Sequence, residues 1–285
     1  MFPIYALTRL LPIEMRLTGP EHDRALRRFG RLFPLRGIVQ GPDRITLDGA
    51  NKNEALLYYF FYNVLRYHRR TPLFRYLRTR LSHADVFLDI GANLGIYGYL
   101  AKKETGCETC LFEPEPAHLA FLRRNGHVFD RVSGVALSDR SGEQDLFVGD
   151  ERHLTGSSLV MSDRGWDACD YSHAVRVECR RLDEIMGDAE WIDRIRLAKI
   201  DVEGAEEAVV RGMEGLLARN RFDIWCEVRG EQSDRNPGSY ARVCGYLEAR
   251  GYRPYTYDGY CLREFTQQDV RRVFDLLFLQ RPFGT

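Results

Sequence analysis

The stretch VFLDIGANLGIYGYLAKK, residues 86–103, limits the fold more than any other part of the chain. An apolar run closes on Asp89, a turn of small residues follows at once, and an apolar pattern of helical period comes next. A buried strand, a tight turn and a helix in that order form the unit that holds a nucleotide in open α/β sheets. A dinucleotide loop would read G-x-G-x-x-G, whereas Gly91, Asn93 and Gly95 give G-x-N-x-G. Small residues let a ligand approach the backbone, but an acid at the strand end repels a pyrophosphate. The turn therefore suits a nucleotide that carries positive charge.

The same alternation continues along the chain. Strands are expected over Asp85–Ile90, Thr109–Glu113, Val132–Leu137, Ile195–Ile200 and Phe222–Val228, with helices over Ile96–Glu104, Ala117–Asn125, Ala205–Arg219 and Tyr240–Arg250. Between the third and fourth strands, GEQDLFVG and HAVRVECRRL read as two exposed strands around a polar segment, Asp150–Ser172. YRPYTYD and VFDLLFL read as a terminal hairpin on the sheet. The expectation is a doubly wound α/β fold, Rossmann-like, with a mostly parallel sheet of seven strands over residues 81–285. Residues 1–80 lack this rhythm. Asn51 and Glu54 resemble a capping box, and an amphipathic pattern over 52–69 runs until Pro72, so this part reads as a helical extension or cap.

The chain has 285 residues, 44% hydrophobic and 29% charged, enough to bury an ordinary core. Lys plus Arg equal Asp plus Glu at 41 each, so no global field draws the protein onto a nucleic acid, and a neutral or small substrate is expected. In the opening MFPIYALTRLLPIEMRL, Pro3, Arg9, Pro12 and Glu14 interrupt the apolar residues, which argues against a leader or a transmembrane segment. Of seven cysteines most, such as Cys110, Cys226 and Cys244, sit in apolar contexts that suit buried thiols in a reducing compartment, and a cytoplasmic protein is expected. Cys107 and Cys110 have CxxC spacing, but they run into a strand and no second pair completes a zinc site.

Three acids end three successive strands: Asp89, Glu113 and, in ALSD with Ser138, Asp139. S-adenosylmethionine fits such a set, having a sulfonium, an ammonium and no phosphate. Glu113 is placed for the ribose hydroxyls and Asp139 for the adenine. The alternative for Asp139 is a cap on the following helix.

The strings FLDIGANLGIYGYLA, FEPEP, ALSD, GSSL, RRLDEI and AKIDVEGAEEAVVRGM occur in this order. Together they resemble the FkbM family of S-adenosylmethionine-dependent methyltransferases, over roughly residues 85–230. The resemblance implies a class I methyltransferase fold and methylation of hydroxyls, often on sugars, glycans or glycosylated natural products. By position it assigns Asp89, Gly91, Asn93, Gly95, Glu113 and Asp139, with Ser138 beside it, to the cofactor.

Methyl transfer to an alcohol needs an aligned nucleophile and a group that removes a proton. In LAKIDVEGAEEAVV, Lys199, Asp201 and Glu203 project from a strand tip where the chain turns at Gly204. Glu227, near the end of the next strand, falls beside Asp201. Two such carboxylates either share a proton or hold a divalent cation such as Mg²⁺. Lys199 reads equally as an ion-pair partner, and Glu203 and Glu206 equally as acids favouring a helix N-terminus. The polar segment 150–174 reads as a lid that offers His153 or His173 as a base. The partners expected are a small-molecule or glycan acceptor and, at most, further copies of the chain. Two alternatives stand beside this reading: a nucleic-acid methyltransferase, which would carry an Asn-Pro-Pro-Tyr type turn where this chain has Asp-Val-Glu-Gly, and a non-catalytic nucleotide-binding module.

Overall fold

A computed structural model describes residues 38–40, 44–48, 72–149, 157–160, 171–186, 189–219, 221–228, 238–258, 261–266 and 274–280. Two short antiparallel strands come first, β1 (Ile38–Gln40) and β2 (Thr46–Asp48). After the helix Pro72–Arg80 the expected alternation begins: β3 (Val86–Ile90), helix Ile96–Thr105, β4 (Glu108–Phe112), helix Pro116–Arg124 and β5 (Arg131–Ser133). The chain then passes through β6 (Ala136–Leu137), β7 (Gly142–Gly149) and β8 (Tyr171–Arg180). It resumes with β9 (Ile195–Ile200), helices Glu206–Gly212 and Glu214–Arg219, β10 (Asp223–Val228) and helix Ser239–Glu248. Strands β11 (Arg253–Asp258), β12 (Cys261–Glu264) and β13 (Phe274–Leu279) complete it.

The main sheet has the order β12, β11, β13, β10, β9, β3, β4, β5. Strands β10, β9, β3, β4 and β5 run parallel, while β13, β11 and β12 each pair antiparallel with a neighbour. The expected seven strands are all present, and β12 adds an eighth at the edge. The terminal pair forms as read, with β13 placed between β10 and β11.

Two expected elements are divided. The strand read over Val132–Leu137 becomes β5 in the main sheet and β6 in a second sheet, ordered β6, β8, β7. Gly134 lies between them, where a Cβ would meet Leu119 Cδ2 at 2.5 Å. The helix read over Ala205–Arg219 is interrupted after Gly212, whose backbone packs so closely on the second sheet that a Cβ would lie 2.0 Å from the Ser138 carbonyl oxygen. Neither break shows in the apolar pattern, because close packing and not hydrophobic period sets it.

Every residue of β3 is buried, as a central parallel strand requires. Val86, Leu88 and Ile90 join one core layer, with Val209 and Val210 of Glu206–Gly212 and Val243 and Leu247 of Ser239–Glu248. Phe87 joins the other, with Leu197, Trp225, Leu277 and the helix residues Leu73 and Leu77. By the two-residue period, Asp89 and Lys199 continue this second layer. Cys107 and Cys110 are buried, and burial raises their thiol pKa values to about 11 and about 12, which marks them as packing residues.

Of residues 1–71, the described ones form the β1–β2 ribbon, and the helix expected over 52–69 lies outside the described residues. The helix Pro72–Arg80 packs directly on the sheet, with the Tyr76 hydroxyl donating to Asp223 at 2.7 Å and Arg80 paired with the same carboxylate. The ribbon is held by fully buried Asn125, whose amide donates to the carbonyls of Thr46 (2.8 Å) and Phe121 (2.9 Å) while its oxygen accepts from the Thr46 N–H (2.6 Å). Asn125→Ala should lower unfolding free energy by about 2 kcal/mol, because it leaves buried backbone groups without partners. Urea titration checks this, and a loss below about 0.5 kcal/mol would mean that the ribbon does not depend on Asn125.

Candidate active site

From β3 the chain winds to β4 and β5 on one side, and later to β9 and β10 on the other. At such a switch point the strands' carboxyl ends part and leave a crevice. Here it is a cavity of about 480 Å³, within the range of about 300–1,000 Å³ usual for small-molecule sites. Its walls are the turn after β3, the end of β4, the tip of β9, the end of β10 and residues 157–159 from beside the second sheet.

Gly91 has φ +72°, and a Cβ there would sit 1.8 Å from the Asp201 carbonyl oxygen, so only glycine lets the β3 turn lie on the β9 tip. The Asp201 N–H donates to the Ile90 carbonyl at 3.1 Å and completes the join. The turn's amides are already committed within the protein. Gly91 and Ala92 donate to the Phe112 carbonyl, Gly95 to Ala92, and Asn93 to Glu113 Oε2 at 2.7 Å. A pyrophosphate would need such N–H groups free, whereas the carboxylates at this wall favour a cation.

Glu113 also accepts from the Glu115 N–H at 2.9 Å. Glu115 caps the helix Pro116–Arg124 by accepting from the Ala117 and His118 N–H groups, and its carboxylate lies 3.0 Å from His118 Nδ1. Burial alone would lower the His118 pKa, but Glu113 and Glu115 outweigh it and raise it to about 10. Burial pushes Glu115 up, yet His118 and the capped N–H groups bring it down to about 2. A cationic imidazole between two carboxylates therefore lines the cavity.

Across the cavity, Lys199 is 5% exposed and its ammonium lies 3.1 Å from Asp201 Oδ2 and 3.7 Å from Asp89 Oδ1. Burial opposes its charge, but Asp201 and Asp89 prevail and hold its pKa above the ordinary lysine value. Lys199 is thus the centre of an ion-pair cluster with Asp201 and Asp89. It also stands 5.2 Å from the ring centroid of Tyr97, whose phenol burial and nearby acids, Asp275 and Asp201 foremost, keep protonated. Carboxylate oxygens of Asp201, Glu203 and Glu227 lie within 4.8 Å of one another, each residue half-buried. Glu227 reaches this cluster because Cys226 pairs with Ile200, which puts the next residue of β10 beside Asp201.

Of the residues singled out in the sequence, Gly91, Asn93, Glu113, Lys199, Asp201, Glu203 and Glu227 line one cavity. Four other residues do not line it. Asp89 is fully buried beneath the turn, accepting from the Gly98 N–H at 3.0 Å, because strand parity aims it under the helix Ile96–Thr105; burial lifts its carboxyl to about 6. Gly95 answers a packing need, since a Cβ there would touch Phe129 and Leu122 at 2.7 and 2.8 Å. Ser138 and Asp139 face a neighbouring cavity of about 270 Å³. His173 is no loop histidine: it lies exposed on β8 opposite Val148, away from the cavity wall. His153 lies outside the described residues. Glu206 is a helix-start acid as allowed for, accepting from the Gly204 N–H at 2.8 Å. Sequence reading missed His118, Tyr97 and Ser158. The Glu-Pro-Ala-His run carries a cap signal that would have placed His118 at the cavity wall.

The family profile described as "Methyltransferase FkbM domain" matches residues 89–254, more than half of the chain. The chain belongs to the FkbM family. It is an S-adenosylmethionine-dependent methyltransferase, built here on an α/β fold with a largely parallel main sheet. It is 28% identical over 186 residues to "Methyltransferase 1" of Beauveria bassiana, a match covering 59% of this chain and 72% of the relative. It is 34% identical over 151 residues to "2-O-methyltransferase NoeI" of Sinorhizobium fredii, covering 48% of this chain and 60% of the relative. It is 30% identical over 167 residues to "31-O-demethyl-FK506 methyltransferase FkbM" of Streptomyces tacrolimicus, covering 49% and 64%. The crystal structure of "Methyltransferase FkbM" from Methylobacillus flagellatus aligns with TM-score 0.45 at 14% identity, over 70% of this chain and 44% of that one. Among the described residues no helix is long and apolar enough to cross a membrane.

In this FkbM-family enzyme the His118 cation stabilises the fold fully below its ordinary pKa of 6.5, and that contribution is lost as pH rises through about 10. His118→Gln should therefore cost about 3 kcal/mol near pH 6, with the difference from wild type shrinking steadily toward pH 10. Denaturant titrations of both proteins across this range check it, and a constant difference would contradict a cationic His118.

Proposed function

We propose that the enzyme methylates a hydroxyl of a sugar, glycan or glycosylated natural product, with the acceptor bound at the Asp201–Glu203–Glu227 cluster. The observation that carries this reading is the convergence of three carboxylates within 4.8 Å at one end of a cavity whose other end carries Glu113 and His118. A polyol offers several hydroxyl donors to such a cluster, and relatives named as O-methyltransferases support oxygen as the methylated atom.

When bound, S-adenosylmethionine supplies an electrophilic methyl group on a sulfonium. Glu113 would accept hydrogen bonds from its ribose hydroxyls, and the apolar floor of Phe112, Val135, Leu137 and Leu146 would hold its adenine. The Gly91–Asn93 turn keeps the remaining wall close. Asp201, held by Lys199 at 3.1 Å, orients the acceptor hydroxyl. Glu227 is placed to take the proton that the acceptor hydroxyl would lose on methylation. Lys199 fixes Asp201 and balances the charge of the cluster. The same three carboxylates would also hold a divalent cation, which would supply positive charge for binding a diol.

Asp201→Asn and Glu227→Gln should each lower kcat by about 10²- to 10⁴-fold while cofactor affinity stays within about twofold of wild type. The assay uses labelled cofactor against a panel of glycosides and glycans. Turnover abolished by EDTA and restored by Mg²⁺ selects the metal-bridged arrangement, and indifference to EDTA selects the shared-proton one. Normal turnover in both variants would show that the acid cluster does not serve the acceptor.

A further inference from the structure

The tip of β9 is fixed at two points. One is the Gly91–Asp201 contact already described. The other is a side chain from outside the main sheet, Ser158, which is 1% exposed. Its hydroxyl donates to the Glu203 carbonyl at 2.7 Å and accepts from the Val160 N–H at 2.9 Å. Its own backbone is pinned as well, since Ser158 and Phe147 exchange N–H to carbonyl bonds of 3.0 and 2.9 Å. Ser158 is thus anchored to β7 in the second sheet and reaches across to the β9 tip.

Glu203 is the residue that needs such an anchor. With φ +57° it is one of three non-glycine residues of positive φ among those described, and a glutamate has no intrinsic preference for that conformation. In an unrestrained chain Glu203 would leave it for an ordinary conformation, and its carboxylate would turn away from Asp201 and Glu227. Gly204, at φ +112°, follows at once and gives the tip the freedom to do so.

We propose that Ser158 is a positioning residue of the acceptor site: its hydroxyl fixes the Glu203 carbonyl and so keeps the Glu203 carboxylate in the cluster with Asp201 and Glu227. The inference rests on the acceptor reading of that cluster. It makes the second sheet a structural part of the site, tied to the main sheet's tip by the Ser158 hydroxyl.

The test is a double-mutant cycle on the full chain with Ser158→Ala and Glu203→Gln, measuring acceptor kcat/KM, cofactor Kd and unfolding midpoint. Ser158→Ala should lower acceptor kcat/KM by about tenfold with cofactor Kd within about twofold of wild type. In the Glu203→Gln background the same substitution should change kcat/KM by less than about twofold, because its effect runs through Glu203. Ser158→Cys, which fills the same space with a weaker donor, should give a smaller loss and serves where the alanine protein fails to fold. Wild-type kinetics in Ser158→Ala beside an impaired Glu203→Gln would overturn the proposal and leave the acceptor reading intact. Equal losses in both backgrounds would also overturn it, since a general loss of structure adds and a shared path does not. A fully active Glu203→Gln would overturn the proposal, and impaired Asp201→Asn and Glu227→Gln beside it would leave the acceptor reading intact.

Discussion

The approach of the β3 turn to the β9 tip is the constraint on which the rest of the structure depends. At the Gly91–Asp201 contact the backbones come closer than any side chain allows, and directly beneath it Lys199 bridges Asp201 and Asp89. A buried ammonium is costly unless opposed, and two carboxylates drawn from the two strands oppose it. This joint brings the Gly91 turn and the Asp201 tip, encoded about 100 residues apart, into one cavity.

The cavity is electrostatically divided. Near β4 a buried imidazolium sits between Glu113 and Glu115, leaving carboxylate capacity for hydroxyl donors without an unopposed negative charge. Near β9 and β10 three carboxylates meet beside one ammonium, which leaves that end net negative. A substrate carrying positive charge or many hydroxyls is favoured there over a polyanion. The turn's committed amides work in the same direction, since they offer no free N–H groups to a pyrophosphate.

Much of this was legible in the sequence. β3, β9 and the helices after β3 and β4 fall within a residue or two of where apolar period and Gly/Pro punctuation put them, because those elements are buried by their own pattern. Glu113, Asp201 and Glu227 were legible because a strand-end acid has few places to go but the crevice. What stayed hidden depends on partners distant in sequence. Asp89 ends a strand as the others do, yet parity turns it under a helix, and the period alone does not say which face opens to the ligand. Gly95 and Gly212 look like turn or helix glycines, and only the side chains and carbonyl they meet show them to be packing residues. Ser158 lies in the GSSL string, but nothing local gives its role: its partner, Glu203, is 45 residues on.

The central claim is that this cavity holds S-adenosylmethionine through the β3 turn and Glu113. Isothermal titration of S-adenosylmethionine and of NAD into wild type and Glu113→Ala tests it most directly. The account predicts single-site binding of S-adenosylmethionine to wild type, weakened about tenfold or more by the substitution, and no saturable heat with NAD. Saturable NAD binding without a response to S-adenosylmethionine, or equal S-adenosylmethionine affinity in both proteins, would contradict it.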